Sequence, residues 1–206
     1  MKIYTYEGAP NARRLAMFMQ YKGIEIETVP IDMTTGEQLS PEYRAINPAC
    51  TVPALVLDDG TVFDAVIGMC TYLESLYPER PLLGTTPLEK AEVAGWCHKL
   101  YTGLFNAIAS VLRNSSKGFV NRGLPGPLDL PQIPELADRG RLQIAHYLPE
   151  LDAHLAERPW VAGDNFTFAD IDLLAAVDFL RWVKESVPEE CGHLANWAER
   201  ARAELG

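Results

Sequence analysis

The sequence predicts an α/β domain followed by an all-helical one, on three observations. Strand-like and helix-like patterns alternate through the first eighty residues, prolines crowd the stretch from Pro78 to Pro87, and no strand pattern follows it. Within the first part, Ile3-Tyr4-Thr5-Tyr6 is a short β-rich run ended by Gly8 and Pro10. Ala12, Leu15, Ala16 and Met19 then recur at i, i+3, i+4 and i+7, the spacing of an amphipathic helix, which Gly23 closes. Ile24 to Ile31 reads as a second strand, so the unit is a right-handed crossover with parallel strands. Leu55-Val56-Leu57 and Val62-Phe63 flank Asp58-Asp59-Gly60, an Asp-Gly hairpin signal. A second helical stripe runs through Val66, Met69, Cys70, Leu73, Leu76 and Tyr77 and stops at Pro78.

The domains are expected at 1–80 and 87–206, joined by a linker at 81–86. Leu88 to about Arg113 forms a long helical pattern, and Ser115 to Pro134 is a Gly/Pro-rich excursion longer than most structureless loops. Leu136 to Ala156 is helical again, with Pro149 predicting a kink or a boundary. Thr167-Phe168-Ala169-Asp170 has the spacing of a capping box, flanked by Phe166 and Ile171 as a hydrophobic staple. The helix it opens, Ile171 to Val183, is apolar on most sides and is expected at the centre of the second domain.

Composition narrows the function. A net charge of −10 disfavours nucleic acid and anionic membrane surfaces, which require clustered Lys and Arg. No apolar run is long enough to span a bilayer, and residues 1–8 read as strand and loop rather than a secretory signal. Cys50, Cys70, Cys97 and Cys191 are far apart and form no CxxC, while His98, His146, His154 and His193 share no ligand spacing. Neither a metal site nor a disulfide framework is expected, and the chain reads as a reduced, cytoplasmic protein.

Five strings in order carry a resemblance over essentially the whole chain. They are Ala9-Pro10-Asn11-Ala12-Arg13-Arg14, Asn47-Pro48-Ala49-Cys50-Thr51-Val52-Pro53, Tyr72-Leu73-Glu74-Ser75-Leu76-Tyr77-Pro78, Trp160-Val161-Ala162-Gly163-Asp164 and Thr167-Phe168-Ala169-Asp170. Together they resemble the glutathione transferase superfamily, which implies a thioredoxin-like first domain, glutathione as co-substrate, a small hydrophobic second substrate and a homodimer. In such proteins a hydroxyl where the first helix begins stabilises the thiolate, the Val before a cis-proline pairs its backbone with the cysteinyl part of glutathione, and a Glu-Ser pair at the third helix holds the γ-glutamyl end.

This chain departs from that pattern. Val52 and Pro53 match the clamp, but the catalytic Ser aligns with Ala9, and the Glu-Ser pair falls on Ala65 and Val66. A shift of one place gives Asp64 and Ala65, which restores an acid and no hydroxyl. Thr51 stands before Val-Pro, leaving no ammonium for the glycyl carboxylate, and Cys50 replaces a Gly. Each lost hydrogen bond to a charged group costs about 1.5–3 kcal/mol, so glutathione is expected to bind weakly. Asn11 is the remaining thiol-donor candidate, weighed against a plain capping role. Tyr6 is weighed as a second donor against packing. Trp96, Tyr101, Phe105, Ile108 and Arg113 are expected to line an apolar substrate pocket, or else to be interdomain core. The leading expectation is a transferase with weakened glutathione use. The alternatives are a glutathione-independent isomerase, lyase or cyclase, and a non-catalytic binding module.

Overall fold

A computed structural model describes all 206 residues and divides them into two compact units. The first comprises Met1–Arg80 and Leu124–Leu128, and the second Pro81–Gly123 and Asp129–Gly206.

The first unit is a four-stranded mixed sheet with helices. Its elements are β1 (Lys2–Thr5), α1 (Pro10–Lys22), β2 (Glu27–Pro30), α2 (Pro41–Ile46), β3 (Ala54–Val56), β4 (Val62–Phe63) and α3 (Val66–Leu76). The strand order is β2-β1-β3-β4; β1 runs parallel to β2 and antiparallel to β3, and β4 is antiparallel to β3. The predicted crossover and hairpin are both present.

The second strand is shorter than Ile24–Ile31. The Ile24 N–H donates to the Met19 carbonyl, so the residues after Gly23 (φ 67°) finish the helix before the strand can start. The hairpin turns through Asp58-Asp59-Gly60, with Gly60 left-handed at φ 88°. Lys22 ends α1 with its ammonium fully coordinated, on Glu74 Oε2 at 2.7 Å and the carbonyls of Glu79 and Arg80 at 2.8 and 3.1 Å. Phe18, Leu15, Leu55, Met69 and Leu73 fill the main core. Ile31, Tyr43 and Val52 form a smaller one, with Tyr4, Tyr6, Ala9 and Met33 packed against it.

The second unit is helical: α4 (Pro87–Leu100), α5 (Asn106–Ser115), α6 (Pro134–Glu157), α7 (Phe168–Leu180) and α8 (Gly192–Leu205). A wide π turn, Tyr101–Phe105, joins α4 to α5, so the pattern read from Leu88 to Arg113 is helical throughout. Gly103 lies in that turn because the Tyr147 ring occupies the space of a side chain: a Cβ there would sit 2.1 Å from its Cζ. Pro149 does not end α6, so of the expected kink or boundary the boundary does not occur. Pro149 and Ala145, whose carbonyl loses its donor, are both exposed, so the freed group is open to solvent rather than stranded in the core.

At the start of α7, the fully buried Asp170 accepts from the N–H groups of Val161 and Thr167, from Trp197 Nε1 at 3.0 Å and from Thr167 Oγ1. Burial pushes its carboxyl above the usual range against the pull of those four donors. Phe166 and Ile171 are buried on either side of it. No helix of the structure is long and apolar enough to cross a membrane.

Candidate functional site

The loop from Asn47 to Pro53 is built around one carbonyl. Ser40 caps α2 by accepting the Tyr43 N–H, which sets Tyr43 so that its hydroxyl donates to the Thr51 carbonyl at 2.6 Å. Asn47 Nδ2 donates to the same carbonyl at 2.9 Å, while its Oδ1 accepts the Ala49 N–H. Burial pushes the Tyr43 phenol up to about 12, so it stays a neutral donor. Thr51 is thereby saturated, and the next residue is not: neither the N–H nor the C=O of Val52 is hydrogen-bonded within the chain. The Val52–Pro53 peptide is cis. Cys50 is buried with φ at 54°, a left-handed position that explains why a glycine suits it.

Helix α1 opens without a side-chain cap. Ala9 is extended at φ −80° and ψ 133°, its N–H bonded to the Tyr6 carbonyl at 2.9 Å, and Pro10 supplies no donor. Asn11 is the second helical residue, so the capping alternative does not hold. Its Oδ1 accepts from Arg14 at 3.0 Å. The Tyr6 ring lies over Gly8, where a Cβ would come within 2.7 Å of it. Tyr6 and Ala9 pack against the Val52 cluster, so those three candidates share one region. Helix α3 also opens bare: Ala65 is an exposed N-cap with no side-chain bond, and Val66 is buried. Asp64 is exposed, near enough for its charge to help raise Tyr43.

Gln38 was not legible in the sequence. It sits in a single helical turn, Glu37–Leu39, with no exposed surface, and neither its amide oxygen nor its nitrogen has a partner. An orphaned buried amide costs about 1–3 kcal/mol, so Gln38 is a local weak point of this turn. Nothing in the polar run around it singles it out, because the signal is burial.

In the second unit the predicted pocket residues do not converge as one set. Tyr101 is 45% exposed and Phe105 lies 6.3 Å from it, centroid to centroid. Ile108 is wholly buried. Trp96 stacks on His154 at 4.3 Å, and His154 Nε2 contacts the Val161 carbonyl. Arg113 turns to the loop after α5, donating to the Arg122 carbonyl at 3.1 Å with its guanidinium over the Phe119 ring.

The glutathione S-transferase N-terminal domain family matches residues 9–76, and the glutathione S-transferase C-terminal domain family matches residues 108–204. Glutathione S-transferase 2 of Saccharomyces cerevisiae is 33% identical over 203 residues, which are 97% of this chain and 84% of the yeast protein. This chain belongs to the glutathione S-transferase family. Among solved structures, a glutathione S-transferase domain-containing protein of Marinobacter aquaeolei VT8 superposes with a TM-score of 0.90 at 33% identity. Gtt2 of S. cerevisiae does so with a TM-score of 0.90 at 31% identity, and in both cases all of each chain is covered. The family uses glutathione as co-substrate, and the open Val52 backbone and the bare start of α1 both lie in the part of the chain that matches the family's N-terminal domain.

Proposed function

We propose that this glutathione S-transferase family member is a cytoplasmic, homodimeric transferase that joins glutathione to a hydrophobic electrophile with weakened affinity for the tripeptide. The observation that carries the reading is the pair of unbonded Val52 backbone groups beside a saturated Thr51 carbonyl. An N–H and a C=O held open in that way accept an extended peptide as an added strand, which is how the cysteinyl residue of glutathione would bind. The thiol then lies toward the start of α1, where the Asn11 and Ala12 amides and the helix dipole favour the thiolate. The γ-glutamyl end is the weak point, since Ala65 and Val66 offer it only the backbone amides of α3.

In the reaction the thiol gives its proton to water and the thiolate sulfur attacks the electrophilic carbon. With an aryl chloride, the C–S bond forms and chloride departs with the C–Cl electron pair. Tyr101 and Phe105 would seat the apolar ring.

Calorimetric titration with glutathione tests the reading, alongside turnover of chloro-dinitrobenzene and light scattering for the dimer. A measurable but weak binding curve with turnover supports it. No binding and no turnover would instead favour the glutathione-independent isomerase, lyase or cyclase, or the non-catalytic module. The loss of both γ-glutamyl side-chain partners at Ala65 and Val66 is the specific observation on their side.

A further inference from the structure

About one residue in seven of this chain is acidic, yet none from Val93 to Leu128 is, while Lys99, Arg113, Lys117 and Arg122 all lie there. Within an acidic protein that segment is a cationic island, and the structure concentrates it. The guanidinium of Arg113 stands 4.9 Å from the Phe119 ring centroid and that of Arg122 stands 5.8 Å from it. No carboxylate pairs with either. Asp129, the next acid along the chain, makes no ion pair with them. Of the many guanidinium donors, one on Arg113 is used, on the Arg122 carbonyl, and none on Arg122.

The backbone that carries the pair is fixed. The Phe119 N–H donates to the Ser116 carbonyl and the Arg122 N–H to the Phe119 carbonyl, a double turn that puts Arg122 back over the ring. The Gly123 N–H donates to the Leu130 carbonyl at 3.0 Å and the Leu130 N–H to the Asn121 carbonyl at 2.9 Å, which closes the neck of the following loop. Gln132 Nε2 holds the carbonyls of Arg113 and Ser116, and Asn114 Oδ1 holds the Ile133 N–H. A cation that served only to pin this loop would need a single arginine. Burial drives the Arg113 guanidinium down to about 10, and the second arginine adds repulsion in the same direction. Two like charges kept together on a rigid frame, with free donors and no counter-charge, are the makings of an anion receptor.

We propose that Arg113 and Arg122, set about Phe119, form a binding site for the carboxylate of an aromatic or otherwise apolar organic acid. Planar, forked guanidinium donors match a carboxylate in two-point contact, and Phe119 with the exposed Val120 gives an apolar neighbour for the rest of the molecule. Calling that acid the electrophilic co-substrate rests on the transferase reading. The binding itself does not, and the test therefore needs neither glutathione nor turnover.

The test titrates benzoate, nitrobenzene (its neutral isostere) and inorganic phosphate separately into the full chain. Arginine Nε–H signals in the NMR spectrum report the site. The expectation is that benzoate shifts the Arg113 and Arg122 signals and binds about tenfold or more tightly than nitrobenzene. Arg122→Gln, whose native guanidinium makes no hydrogen bond, brings that ratio to about one, and Arg122→Lys restores part of it. Equal binding of benzoate and nitrobenzene overturns the proposal, as does a preference that survives Arg122→Gln. Phosphate displacing benzoate at lower concentration than benzoate's own half-saturation also overturns it, in favour of a phosphate site. If benzoate binds as expected while glutathione does not bind at all, the anion site stands and the transferase reading falls.

Discussion

The start of α7 and the Val52 region treat backbone polar groups in opposite ways. At α7 everything is closed: Asp170 alone takes two backbone N–H groups, a hydroxyl and an indole. Around Val52 the chain saturates Thr51 with two donors, then leaves Val52 open and begins both α1 and α3 on alanines that cap nothing. The first unit does cap helices where it needs to, as Ser40 does for α2. In the second unit Thr86 and Glu89 cap α4 reciprocally, and Asp152 takes the Leu194 N–H at the start of α8. Helix α6 also opens without a side-chain cap, on Ile133, but in the first unit bare ends occur at α1 and α3 alone. Closed ends hold a fold together, and open ones leave amides for something outside the chain.

The closed side is where substitution should cost most. Asp170→Ala strands four buried donors and is expected to lose about 3–5 kcal/mol, lowering the thermal midpoint by about 10 °C in a calorimetric scan. The open side should gain function when a partner is added. Ala65→Glu returns a carboxylate toward the γ-glutamyl ammonium and is expected to tighten glutathione binding about tenfold or more, read by titration calorimetry. An unchanged affinity would mean that α3 does not receive that group.

How far the sequence showed this contrast depends on range. The closed end at α7 was legible, because Thr167 and Asp170 are three residues apart and capping is local chemistry. The bare ends were legible too, as alanines where the family has polar side chains. Tyr43 on Thr51 was not, since the end of α2 and an irregular loop lie between them, eight residues apart. Gln38 has no sequence signal at all. The helix α8 was missed although Leu194, Trp197, Ala198 and Ala201 keep helical spacing, and α2 was missed because six residues are too few to show a period. Spacing could not decide between a kink and a boundary at Pro149, because the cost of a proline depends on whether its freed carbonyl is open to solvent.

Two smaller tests concern the hinge between saturated Thr51 and open Val52. Tyr43→Phe leaves Asn47 as the sole donor and is expected to cost about 1 kcal/mol at neutral pH in denaturant unfolding. The pH dependence has a definite sign. The folded phenol titrates at about 12 against an ordinary 10, so its contribution is complete below pH 10 and is lost as pH rises from 10 to 12. Wild type and variant should converge across that interval, and a gap that persists would assign the cost to packing. Cys50→Gly relieves the left-handed backbone at the loss of a small buried side chain, with an expected net gain of about 0.5 kcal/mol.

Gly140, midway in the second unit, has a further consequence. A methyl group there would meet the Ala107 carbonyl at 2.7 Å and a Val111 methyl at 2.8 Å, so α5 and α6 lie nearly backbone to backbone. Gly103 admits Tyr147 by the same device one turn earlier along that seam. Two glycines thus set the spacing between the longest helix of the molecule, α6, and the π turn and α5 packed on it, and any heavier residue at either position would act as a wedge. Variation that retunes the protein must be absorbed by the loops at the ends of this joint, because the joint itself has no slack.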